Sequence, residues 1–102
     1  MGWEGAVEQY VFVRLHALQG EESAVKEALR GVTGPSREEA GCVSFHTFRW
    51  MRDRRLYFIH SRWLDEAAFQ AHAGLPHTAS FLERVDTLPD QPRDATRTQM
   101  IG

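Results

Sequence analysis

The sequence predicts an α+β fold, an antiparallel sheet with its helices on one face. Two observations carry that expectation. Alternating or β-rich stretches lie at 9–18, 42–50 and 56–63, and apolar stripes at helical spacing lie between and after them. In the first stretch Val11, Val13, Leu15 and Ala17 share one face, and Phe12, Arg14 and His16 share the other. That pattern is a strand with one apolar and one mixed face. Gln19-Gly20-Glu21-Glu22 reads as a turn whose acids enter a helix, where they meet the positive end of its dipole. Ala24, Val25, Ala28, Leu29 and Val32 give that helix one apolar stripe. Gly34-Pro35 is expected to end or kink it, because proline lacks an N–H and its ring crowds the preceding turn.

After the break at Ala40-Gly41, the next two stretches flank the charged turn Arg52-Asp53-Arg54-Arg55 and read as a hairpin. A turn centred near Asp53 sets His46 opposite His60. Asp65 is placed as the N-cap of a helix over 65–74 that carries Ala68, Phe69 and His72 on one side. Leu75-Pro76 interrupts it, a second helical segment covers 77–86, and residues 95–101 form the last strand. The order βαββααβ is the ferredoxin-like arrangement, whose helices cover one sheet face only. The other face carries Phe12, Arg14 and His16, with either Phe58, His60 and Arg62 or Tyr57, Ile59, Ser61 and Trp63. Either set is too aromatic to face water, so a symmetric homodimer, sheet against sheet, is expected.

The chain of 102 residues has room for one domain, 1–102, with its core over 9–101 and residues 1–8 as an N-terminal extension. Six Phe, three Trp and two Tyr exclude global disorder. Twelve basic against 14 acidic residues give a formal charge of −2, no footprint for nucleic acid. The single cysteine, Cys42, excludes an internal disulfide and a Cys-based zinc site. It reads as a buried small apolar residue and fits a reducing cytoplasm. The apolar runs are too short for a membrane span, and no signal peptide is read at the start. Cytoplasmic localisation is the expectation.

Gly41-Cys42-Val43-Ser44-Phe45, then Tyr57-Phe58-Ile59 followed by Trp63, then Glu66-Ala67-Ala68-Phe69 followed by His72, then Pro76-His77 followed by Phe81-Leu82, stand in that order. Together they resemble the antibiotic biosynthesis monooxygenase family of small proteins. The resemblance covers residues 9–88 well and the last strand loosely. It implies a dimeric α+β barrel. It also implies a range of activities: cofactor-independent oxygenases acting on quinols and polycyclic aromatic polyketides, haem-degrading enzymes, and an isomerase of a small signalling sugar phosphate. Two positions depart from the pattern. Ser61 stands where the family has the Glu of Glu-x-Trp, so that carboxylate is missing. The iron-ligating His of the haem-degrading members would fall near Leu82, between Phe81 and Glu83, so haem chemistry is disfavoured.

The resulting expectation is a cofactor-independent monooxygenase. It oxidises a small aromatic, quinol or polyketide-like substrate with dioxygen, in an apolar pocket between helices and sheet. His72 is the candidate catalytic base, since a neutral imidazole accepts a phenol proton near neutral pH. A His packed at a helix end and bonded to a carbonyl fits the same position. Trp63, Phe69 and Phe81 would shape the pocket and Phe45 and Tyr57 would line it, although core packing suits Trp63, Phe45 and Tyr57. His46, His60 and Arg62, with Arg14 and His16, would form either an anion pocket or a hydrogen-bonded dimer interface. No metal site is expected, because these histidines have no acidic ligand at a recognised spacing. His77 reads as a helix cap or a surface residue. No cofactor is expected: neither Gly-x-Gly-x-x-Gly nor Gly-x-x-x-x-Gly-Lys is present. Two alternatives stay open, a non-catalytic dimer binding a small aromatic metabolite, and an isomerase of a small phosphorylated sugar anchored by Arg14 and Arg62.

Overall fold

Residues that alternate in the sequence also alternate in burial. The structure, a computed structural model, describes residues 7–102, so residues 1–6 of the expected N-terminal extension lie outside it. Strand β1 runs over Gln9–His16, helix α1 over Glu22–Arg37, β2 over Cys42–Arg49 and β3 over Leu56–Trp63. Helix α2 follows at Glu66–Ala73, α3 at Pro76–Val85 and β4 at Asp94–Thr98. The strands form one antiparallel sheet in the order β2-β3-β1-β4, the ferredoxin-like topology. Val11 and Leu15 of β1 and Tyr57, Ile59 and Trp63 of β3 are buried under the helices. Val25, Ala28, Leu29 and Val32 of α1 meet them in the same core. Burying apolar side chains contributes about 25 cal/mol per Å², which makes this layer the main stabilising term.

The hairpin register follows the charged turn, and His46 stands opposite His60. The strand directions settle the two sets left open by the sequence. Tyr57, Ile59, Ser61 and Trp63 face the helices, while His60 and Arg62 pair with Phe12 and Tyr10 on the opposite face. Asp65 caps α2 as expected, its carboxylate accepting from the Ala68 N–H at 2.8 Å. Gly41 passes close to α2, and a Cβ there would press on Ala68. Glycine is therefore required at the entry to β2 for packing.

Pro35 departs from expectation, because α1 continues through it to Arg37. Only the last turn of the helix lies beyond it, so the lost N–H and ring contact disturb little. The Glu38 N–H then closes the turn on the Pro35 carbonyl at 3.2 Å. The last strand is shorter than expected and ends at Thr98.

His16 ties three segments together at one end of the sheet. Its Nδ1 lies 2.9 Å from both oxygens of Asp90, and its Nε2 lies 2.9 Å from Asp53. Both partners only accept when ionised, so the doubly protonated ring satisfies both. The hydrogen bond to Asp90, then that to Asp53, raises the His16 pKa above its ordinary 6.5. Asp53 is lowered by the Arg55 backbone N–H and then by His16, and Asp90 is lowered chiefly by His16. A raised imidazole stabilises the fold below its unfolded pKa and loses that contribution as pH rises through the folded value. The lowered carboxylates lose theirs as pH falls below the ordinary carboxylate range. The cluster therefore stabilises most between about pH 4 and 6.5. Urea unfolding at pH 6 and pH 9 should show a larger loss of stability in the wild type than in His16→Gln. Equal losses in the two proteins would contradict this reading of the cluster.

Candidate active site

The helices and the sheet do not fill the space between them. A hollow of about 180 Å³ remains, walled by Phe45, Ile59, Phe69, Phe81 and Leu82, with Val11, Val13 and Ala95 from the sheet. Its polar lining comes from Ser61, His72, Thr78 and Arg93. Each wall residue is placed by its element. Phe45 and Ile59 point inward because of strand alternation, and Phe69 and His72 share one side of α2 at a three-residue interval.

His72 is buried and carries the titratable group of this space. Its Nδ1 lies 2.8 Å from Glu39 Oε2 and 3.3 Å from the Thr78 hydroxyl. The same Glu39 oxygen lies 2.7 Å from His77 Nε2. An ionised carboxylate accepts and cannot donate, so both rings present N–H to it. When its ring is neutral, His72 is then the Nδ1–H tautomer, with its lone pair on Nε2. Among the described residues, Nε2 of His72 has no hydrogen-bond partner. Trp63 stacks against the ring at a centroid distance of 4.3 Å and fixes its plane. The Trp63 Nε1–H donates to Ser61 Oγ at 3.0 Å, so the serine in the family's Glu position holds the indole that supports His72.

The structure sorts the sequence-derived candidates. His72, Phe69, Phe81 and Phe45 line the hollow together. Trp63 does not line it: the indole is fully buried behind His72 and Phe69. Tyr57 sits outside it as well, its hydroxyl donating to the Glu22 carbonyl at 3.1 Å. His46, His60 and Arg62 lie on the opposite sheet face, because even and odd strand positions point to opposite sides. Arg62 is paired there with Glu8 at 2.6 Å, and His16 is occupied by two carboxylates. Among the described residues, none of this set lines the hollow, and Arg14 and Arg62 stand on the far face from it. Arg93, paired with Asp86, is the cation on the wall.

His77 is corrected from cap or surface residue to partner of Glu39. Glu39 and Thr78 are additions that the sequence reading missed. Glu39 lies in the turn between α1 and β2, 33 residues from His72, and no local spacing signals that contact. Cys42 is half-buried, and burial followed by the Glu39 charge pushes its thiol up, keeping it protonated and unreactive. No described helix is long and apolar enough to cross a membrane.

A ferredoxin-like layer with a small aromatic hollow and one oriented imidazole defines a class of compact pocket proteins. The family described as antibiotic biosynthesis monooxygenase matches residues 9–84, and the chain belongs to that family. Among curated proteins none matches it. Solved structures share the fold closely. PA3566 from Pseudomonas aeruginosa is 22% identical with a TM-score of 0.87, covering 96% of this chain and 98% of its own. Rv0793 from Mycobacterium tuberculosis is 22% identical with a TM-score of 0.89, covering 93% and 96%. A protein described as an antibiotic biosynthesis monooxygenase is 16% identical with a TM-score of 0.87, covering 92% and 99%. At these identities the likeness establishes the fold alone.

Proposed function

We propose that the protein is a cofactor-independent monooxygenase that oxidises a single-ring phenol or hydroquinone with dioxygen, His72 acting as the general base. One observation carries the reading: an imidazole whose Nδ1 is held by a carboxylate lines an apolar, aromatic-walled hollow and, among the described residues, leaves its Nε2 without a hydrogen-bond partner. The volume supports the substrate class. A cavity of about 150 Å³ holds one benzene, so about 180 Å³ has room for one substituted ring.

In this mechanism His72 Nε2 takes the phenolic proton. The phenolate gives one electron to dioxygen, and the phenoxyl and superoxide radicals recombine at a ring carbon that bears hydrogen. The imidazolium returns its proton to the peroxide. The O–O bond then breaks as that carbon loses its hydrogen as a proton, leaving a carbonyl and water. One oxygen atom enters the quinone and the other leaves as water, with all electrons supplied by the substrate. The protein contributes orientation, exclusion of water and charge compensation by Glu39 for the imidazolium.

The competing reading is a dimer that binds the same guest without turnover, favoured by Ser61 in place of the family carboxylate. Oxygen uptake with methylhydroquinone, corrected for autoxidation, separates the two. With ¹⁸O₂ the quinone should carry one new label, and His72→Ala should reduce uptake by about 10²–10⁴-fold with the fold intact. Unlabelled product, or undiminished uptake in His72→Ala, would contradict the catalytic role.

The reading includes a second copy of the chain against the open sheet face. Phe12, Phe48 and Trp50 are 48%, 52% and 49% exposed there and at the adjoining strand end, beside His60 and Arg62. A contiguous aromatic face of this kind marks an interface. Sedimentation at micromolar concentration should return a dimer, and a monomer would contradict the assembly.

A further inference from the structure

We propose that Glu39, His72 and His77 form a binding site for one divalent first-row transition cation, of the Zn²⁺ or Co²⁺ kind. Glu39 Oε2, His72 Nδ1 and His77 Nε2 all lie within 4.8 Å of one another. Two imidazoles and one carboxylate are the donor set that such cations accept, with positions left open for water. The three ligands come from separate segments: the turn before β2, the end of α2 and the start of α3. The backbone holds them together from three sides.

Burial and charge favour a cation here. The side chains of Glu39 and His72 are each 11% exposed and that of His77 is 23% exposed. Among the described residues, no Lys or Arg pairs with Glu39; its charge meets only the two rings. A divalent ion would set a full positive charge against this partly buried carboxylate. His77 is the most open of the three and marks the side from which the ion enters.

In the metal-free protein the carboxylate lies 2.8 and 2.7 Å from the two ring nitrogens. Ligands at about 2.0–2.1 Å from a tetrahedral ion stand roughly 3.3 Å apart. Each contact must open by roughly half an ångström, within reach of the Glu39 turn. Trp63 against one face of His72 would hold the plane of that ligand.

Loading has a consequence that rests on the function proposed above. A cation on Nδ1 moves the ring proton of neutral His72 to Nε2. The lone pair that accepts the phenolic proton is then gone, so the loaded protein and the base-competent protein are alternative states.

Titration of the whole protein with Co²⁺ tests the site without any need for turnover. One equivalent should produce a visible ligand-field band, and Zn²⁺ should abolish it by displacement. His77→Asn and Glu39→Gln should each weaken binding by about tenfold or more, with melting of the metal-free variants confirming the fold. His46→Gln combined with His60→Gln, the pair on the opposite sheet face, should leave the band unchanged. No stoichiometric band, or a band lost in the His46/His60 variant and kept in His77→Asn, would overturn the site. One equivalent of Zn²⁺ should also stop methylhydroquinone-dependent uptake, and a chelator should restore it. Uptake that persists with the site filled would overturn the exclusion while leaving the site itself standing.

Discussion

The candidate site depends on one carboxylate oxygen. Glu39 Oε2 receives two imidazole nitrogens from different helices, and this shared acceptor decides where the protons of both rings sit. Without it, His72 would be a buried histidine free to adopt either tautomer. With it, a neutral His72 keeps its lone pair on Nε2. The family position that would supply a carboxylate from β3 holds Ser61 instead, and the serine supports the Trp63 indole beneath His72. The carboxylate that meets the imidazole comes from the turn before β2.

That arrangement needs the architecture around it. The sheet presents Phe45 and Ile59 upward, α2 delivers Phe69 and His72, and α3 delivers Thr78 and Phe81. Gly41 permits α2 to lie against the start of β2, which sets how near Glu39 and His72 can come. The capping bond from Asp65 fixes the beginning of α2, and therefore the rotation that turns His72 inward. The same packing leaves the other sheet face aromatic and uncovered. The interior thus holds the oriented imidazole and the hollow, while the far face keeps Phe12, Phe48 and Trp50 about half exposed.

Much of the fold was legible because it rests on short-range rules. Alternation in β1 and β3 gives burial, the charged turn gives the hairpin register, and an aspartate before an apolar segment gives a cap. His72, Phe69 and Phe81 were legible for the same reason, as apolar-side positions of amphipathic helices. The contacts of the site were not. Glu39 meets His72 and His77 across 33 and 38 residues, a closeness made by tertiary packing and unmarked by any motif. His77 read as a helix cap or surface residue because a helix start is usually open, and here Glu39 from the turn before β2 meets it. Trp63 read as a ligand wall because its residue type suits one, but its register places it one layer too deep. Arg62 and His60 had the right chemistry for an anion site on the wrong side of the sheet, where strand parity alone decides.

The orientation of one ring is therefore the point on which the account turns. Nitrogen-15 NMR of the metal-free protein, at a pH where the ring is neutral, reads the tautomer of His72 directly. The account predicts a proton on Nδ1 and a bare Nε2. A proton found on Nε2 instead would show that Glu39 does not set this ring, and the proposed base would have no lone pair to offer.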